Sequence, residues 1–226
     1  MTTTVEAVMT ADVVVVPETA SFKQIVHVLR VYGVNAAPVL GADGTVTGVV
    51  SATDLLLKEA DPDAAEDSPL FAGPRRRKEI RKSAGTVAAD LMTSPAITIA
   101  PTAPVEQAAR VMRREHVSRL PVIDQKSGRL VGIVSRADLL RVYSRPDRDI
   151  HDDVVRNVIV GRFGWEAERY AVTVKQGQVT VEGDLERRSQ IPALLHAIRR
   201  VEGVVAAEAR LNWTVDDTYI QHYPMY

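Results

Sequence analysis

Apolar residues at Phe22, Ile25, Val26 and Leu29 are spaced i, i+3, i+4, i+7, which predicts one face of an amphipathic helix. The same stripe returns 83 residues later at Val105, Ala108, Ala109 and Met112, with Thr102 and Pro104 placed for a cap and a first-turn proline. Each helix is followed by a short apolar run, Pro38 to Leu40 and Pro121 to Ile123, and then by a turn at Asp43-Gly44 or Ser127-Gly128. A second run follows, Val46 to Val50 and Leu130 to Val134, and a helix opens near Asp54 or Asp138. The pattern predicts β-α-β-β-α, twice.

The two copies align residue by residue at a spacing of 83 or 84. Val8-Met9-Thr10 corresponds to Leu91-Met92-Thr93, Pro17 to Pro101, and Ala37-Pro38-Val39 to Leu120-Pro121-Val122. Gly48-Val49-Val50-Ser51 corresponds to Gly132-Ile133-Val134-Ser135, and Asp54-Leu55-Leu56 to Asp138-Leu139-Leu140. That period is too long for one turn of a solenoid, so each copy is a small domain. A copy of about 55 residues is marginal alone, so the two are expected to pack face to face as a pseudo-twofold pair. The expected boundaries are 1–60 and 87–145, with a linker over 61–86.

Past Arg145-Pro146-Asp147 the pattern changes. Ile150, Val154, Val155, Val158 and Ile159 suggest a helix, and Val172, Val174, Val179 and Val181 alternate around Gln176-Gly177 as a hairpin. Ile191, Leu194, Leu195, Ile198 and Val201 give a second helical stripe ended by Gly203, and Val205, Ala207, Ala209 and Leu211 a closing strand. The prediction is α-β-β-α-β over 149–213, with a tail over 214–226 that carries Tyr219, His222, Tyr223 and Tyr226.

Composition narrows the chemistry. With 28 basic and 29 acidic side chains among 226 residues, the net charge is −1, which gives no global attraction to nucleic acid or membrane. The linker is acidic at Asp61, Asp63, Glu66 and Asp67, then basic from Arg75 to Lys78 and at Arg81 and Lys82. With no aromatic interleaved, that run is expected to be solvated rather than a nucleic-acid contact. Zero cysteines exclude disulfides and thiolate ligands and permit a reducing compartment. No signal-like N-terminus or membrane-spanning run occurs, so a cytoplasmic protein, peripheral to a membrane at most, is expected. His27, His116, His151, His196 and His222 show no metal-ligand pairing, and neither a Walker loop nor a nucleophile elbow is present. The expectation is no metal and no enzyme.

The residues with chemistry in them are Ser51-Ala52-Thr53-Asp54 and Ser135-Arg136-Ala137-Asp138. A serine just before a helix can donate to a phosphate favoured by first-turn N–H groups, and an aspartate three residues on can accept from ribose hydroxyls. The same spacing equally describes a helix cap, with the carboxylate complementing the helix dipole.

Met-Thr, Pro, an amphipathic helix, hydrophobic-Pro-Val and Gly-hydrophobic-hydrophobic-Ser-x-x-Asp-Leu, found twice in register over 5–58 and 87–142, resemble the cystathionine-β-synthase (CBS) domain. The resemblance implies an α/β (α+β) pair that binds AMP, ADP, ATP or S-adenosylmethionine between the copies, with Ser and Asp holding phosphate and ribose. It also implies shared clefts and dimers of pairs. One site would combine Ser51 and Asp54 with Thr93, Ile97, Thr98, Val117, Arg119 and Pro121. The other would combine Ser135, Arg136 and Asp138 with Thr10, Val14, Val34, Ala36 and Pro38. Arg119 stands where the first copy has Ala36, and a guanidinium can pair with phosphate, so the site of Ser51 and Asp54 is the favoured one. Arg136 could serve the other.

Val172 to Gly183, the following helix and Val201-Glu202-Gly203-Val204 resemble a BON domain over 149–213, which implies attachment to phospholipid, sugar or protein. Gly183 is expected at a bend or a close approach of sheet and helix. Three readings follow: a ligand sensor working as a homodimer, a ligand-free interaction scaffold, and a membrane-surface adaptor.

Overall fold

A computed structural model describes residues 3–60 and 85–218. The charged linker and the tail aromatics lie outside the described residues. The described chain forms two compact units, Thr4–Arg136 and the residues from Ala137 on together with Thr3.

The first unit runs α1 (Val5–Val8), β1 (Val16–Pro17), α2 (Phe22–Val31), β2 (Ala36–Leu40), β3 (Val46–Ser51) and α3 (Ala52–Ala60), then α4 (Ala88–Leu91), α5 (Val105–Arg114), β4 (Arg119–Ile123) and β5 (Leu130–Ser135). In the first copy β1 is parallel to β2, with Val16 opposite Val39, and β2 is antiparallel to β3, with Ala36 opposite Ser51. In the second, β4 is antiparallel to β5, with Arg119 opposite Ser135, and Ile99 bridges Val122 where β1 would be. Both hairpins shift register at the same place, between Val39 and Leu40 and between Val122 and Ile123. The duplication extends to irregularities.

Ser21 and Gln24 form a reciprocal capping box that starts α2, which buries Ile25 and Leu29. Val26, expected on the buried stripe, is 40% exposed, and Phe22 and Val28 flank the stripe instead. In α5, Ala108 and Met112 are buried while Ala109 is exposed. Pro104 is the N-cap rather than the first helical residue, and Thr102 supplies no cap. One core joins Val16, Ile25, Leu29, Val39, Val50 and Leu55 of the first copy to Ala88 and Leu91 of the second.

The second unit contains α6 (Arg136–Leu140) from its second residue on, a 3₁₀ turn, and α7 (Asp147–Asp153) running into a π-helical stretch over Val154–Val160. There follow β6 (Tyr170–Lys175), β7 (Gln178–Arg187), α8 (Gln190–Ile198) and β8 (Ala206–Val215). The order α-β-β-α-β matches the expectation, with a sheet ordered β6-β7-β8. β6 and β7 form an antiparallel hairpin, and α8 supplies the crossover that the parallel pairing of β7 and β8 needs. Ile150, Val154, Val158 and Ile159 stay buried through the change from α to π winding and pack on Val179, Val181, Leu194 and Ile198.

Gln176 and Gly177 both have positive φ, 51° and 73°, as a two-residue hairpin turn requires. Gly183 is a close approach, as expected. A Cβ there would meet at 2.6 Å the carbonyl oxygen of Arg169, the last residue of a 3₁₀ turn over Ala167–Arg169.

Candidate functional site

Ser51 ends β3 and Asp54 lies in the first turn of α3, both half-buried. The Ser51 N–H and Oγ donate to Asp54 Oδ2 at 2.9 and 2.7 Å, and the Asp54 N–H donates back to Ser51 Oγ at 3.3 Å. This is a capping box with aspartate in the third helical position. Beside it, the Ala52 N–H donates to the Asn35 carbonyl at 2.9 Å, which ties the helix start to the strand entry before β2. Asn35 was not singled out in the sequence, because its contribution is a backbone oxygen.

Two segments of the second copy reach this corner of the first. Thr93 and Val49 exchange backbone hydrogen bonds of 2.8 and 3.0 Å, which lays the Met92-Thr93 segment along β3 two residues from Ser51. Arg119 Nη1 donates to the carbonyl of Ala36, the residue opposite Ser51, at 3.4 Å. The pseudo-twofold repeats the crossing, as Thr10 and Ile133 exchange two bonds of 2.9 Å. Gly48 and Gly132 make both crossings possible. A Cβ on Gly48 would meet Met92 Cγ at 2.8 Å and the Thr93 carbonyl oxygen at 2.9 Å, and one on Gly132 would meet Met9 Cγ at 3.0 Å.

The backbone pairing shows which of the expected cleft residues lie in the same sheet. Besides the Met-Thr segments, Thr4 bridges Pro104 and Ser21 bridges Val87 between the copies. The hydrophobic-Pro-Val segment pairs within its own copy, so Ala36 and Pro38 share a sheet with Ser51, while Arg119 of the other copy's segment reaches the Ala36 carbonyl. Pro121 likewise pairs with Ile133, and its carbonyl accepts from Ile99, which draws Ile97 and Thr98 toward the sheet of Ser135. A period read from sequence aligns the copies but leaves open which strand of which copy closes each sheet. Val34 and Val117 precede β2 and β4 and are half-buried. Arg136 Nη2 donates to the Val117 carbonyl at 3.0 Å, within its own copy. Asp138 lies in α6, and the division between the units falls between it and Ser135. His116 is exposed, with φ of 55°.

A cavity of about 390 Å³ lies elsewhere in the first copy, lined by Val15, Pro17, Ala20, Lys23, His27 and Val28 among others, and by neither Ser51 nor Asp54. Among the described residues no cluster of His, Asp and Glu is arranged to hold a metal ion.

The model of the CBS domain matches residues 5–61 and 87–145, just over half of the chain. The chain belongs to the CBS-domain family. A CBS domain-containing protein of Dictyostelium discoideum is 35% identical over 112 residues, which span 50% of this chain and 71% of that protein. The CBS domain pair of protein MJ0100, solved with 5′-methylthioadenosine and S-adenosyl-L-methionine, has the same fold. It is 20% identical with a TM-score of 0.51, and the match covers 64% of this chain and 98% of that one. CBSX2 of Arabidopsis thaliana, solved in complex with AMP, is 31% identical with a TM-score of 0.48 over 61% of this chain and 93% of its own. The Ser-x-x-Asp corner thus sits in a tandem CBS pair whose two copies exchange strand segments.

Proposed function

We propose that the CBS pair binds an adenine nucleotide or adenosyl ligand at the start of α3, and that the chain is a ligand-responsive regulatory protein and not an enzyme. The observation that carries this reading is that Asp54 bonds Ser51, Ser51 pairs with Ala36, and Arg119 of the other copy reaches the Ala36 carbonyl. A hydroxyl and a carboxylate suit ribose and phosphate oxygens, and a guanidinium from the other copy supplies the cation that a phosphate needs. The Ser51–Asp54 hydrogen bond is the one that ligand hydroxyls would replace. The ligand class agrees with the AMP of CBSX2, which is 33% identical to this chain over 117 residues. A ligand that favours one packing of the copies would shift their equilibrium by its difference in affinity.

The C-terminal unit, with its α-β-β-α-β order, is proposed as a BON-like attachment module for a partner protein or phospholipid surface, and the CBS pair as a homodimerising element. Among the described residues no helix is long and apolar enough to cross a membrane. One observation favours the scaffold reading instead: Ser51 and Asp54 already satisfy each other, so the motif needs no ligand to be stable.

Titration calorimetry with AMP, ADP, ATP and S-adenosylmethionine separates the two. The sensor reading expects binding by at least one, weakened tenfold or more by Asp54→Ala and by Arg119→Ala. Folded protein that binds none of them leaves the scaffold.

A further inference from the structure

β8 is an edge strand of ten residues, paired on one side to β7 and on the other to no described strand. Which of its backbone groups face outward follows from its two ends. The Val205 N–H donates to the Gly177 carbonyl at 2.8 Å, and the Val215 carbonyl accepts from the Arg188 N–H at 3.1 Å. Backbone direction alternates along a strand, so the odd-numbered residues turn their N–H and C=O groups toward β7. The groups of Ala206, Glu208, Arg210 and Asn212 then face the open edge. Long open edges of this kind are templates for pairing with another chain.

We propose that this edge pairs antiparallel with β8 of a second copy of the chain, about a twofold axis at Ala209. Outward-facing residues must then oppose outward-facing residues, which restricts the axis to a few positions. With the axis at Glu208 or at Arg210, like charges would stand opposite each other, which opposes pairing. With the axis at Ala209, Glu208 opposes Arg210 of the second copy, and the symmetry repeats that pair. Glu208 and Arg210 are already in contact within the chain at 3.0 Å, and Arg210 also reaches Glu182 at 3.5 Å, but with side chains 60% and 62% exposed both heads can turn outward.

The same register places Val205 opposite Trp213 of the second copy, again twice. These are two of the large apolar side chains that the chain leaves in solvent, at 62% and 43% exposure. Both fall at odd positions, where side chains of non-hydrogen-bonded pairs come closest. The product is a six-stranded sheet, ordered β6-β7-β8 and then β8-β7-β6 of the second copy. It does not depend on ligand binding by the CBS pair.

The chain has no cysteine, so a single introduced thiol reports the register in the full-length protein. At the axis, Ala209 opposes itself with Cα atoms about 4.5 Å apart, within the span of a disulfide. Ala209→Cys is expected to give a covalent dimer on mild oxidation that a reductant reverses. Ala207→Cys would oppose Leu211 and is expected to give no covalent dimer under the same treatment. Adding Glu208→Pro, which removes an outward N–H and no bond to β7, is expected to cut the Ala209→Cys cross-link at least tenfold, with circular dichroism unchanged. Cross-linking of neither cysteine variant, or of both equally, overturns the proposal.

Discussion

Gly48 and Gly132 occupy equivalent places in the two copies, yet their neighbours differ. A methyl group on Gly48 would collide with the backbone oxygen of Thr93, whereas the nearest neighbours of one on Gly132 are atoms of the flexible Met9 side chain. Overpacking against backbone costs about 1–3 kcal/mol, and a side chain can turn aside for less. Gly48→Ala is therefore expected to lower the urea midpoint clearly more than Gly132→Ala, and equal shifts would refute that account of the crossing. Asp54 has two roles. Its loss removes half of the capping box, worth about 1 kcal/mol, so stability must be measured alongside binding in Asp54→Ala. Asp54→Ala that binds ligand normally while losing that stability would mark the motif as a cap alone.

At the scale of elements, the C-terminal unit is fastened by carboxylates on backbone N–H groups. Asp147, in the first turn of α7, accepts from the N–H groups of Gln176 and Gly177 at 2.7 and 2.8 Å and so holds the β6–β7 turn. Asp147→Ala should destabilise this unit by about 1–3 kcal/mol, read as a lower urea midpoint for its transition. Asp217 anchors the start of α8 in the same way. The Ser189 hydroxyl, and after it the Ser189 N–H, hold its carboxyl below the usual carboxylate range. A depressed folded value means that this contact stabilises at neutral pH and is lost as pH falls through that value. The Ser189 amide resonance should accordingly titrate with a midpoint below the ordinary value of about 3.9, and a midpoint at or above it would contradict the contact.

For the whole molecule, the two units allow binding to be read as a stability change in one of them. A ligand at a hundred times its dissociation constant stabilises its binding unit by about 2.7 kcal/mol. Thermal scans with saturating adenine nucleotide are expected to raise one transition, with no such shift in Asp54→Ala. A rise of equal size in that variant would place the ligand elsewhere. The β8 pairing belongs to this scale too, because it joins two chains through the unit that carries no Ser-x-x-Asp serine.

Period and alternation along the chain determined much of this protein: two β-α-β-β-α copies, their boundaries near the matched family segments, the hairpin at Gln176-Gly177, and the position of Ser51 and Asp54 at a helix start. These features are local, set by spacing within a few residues, and backbone geometry enforces them without reference to distant parts of the chain. Only the tertiary structure decided which segments cross between copies, that Thr93 lies on Val49 while Pro121 stays with Ile133, and that Arg119 reaches the Ala36 carbonyl. It also decided that Val26 faces solvent and that the groups of Glu208 and Arg210 turn to an open edge. Hydrogen-bond direction and burial depend on residues far apart in the chain, and a repeat carries both copies' patterns without saying whose strand closes whose sheet.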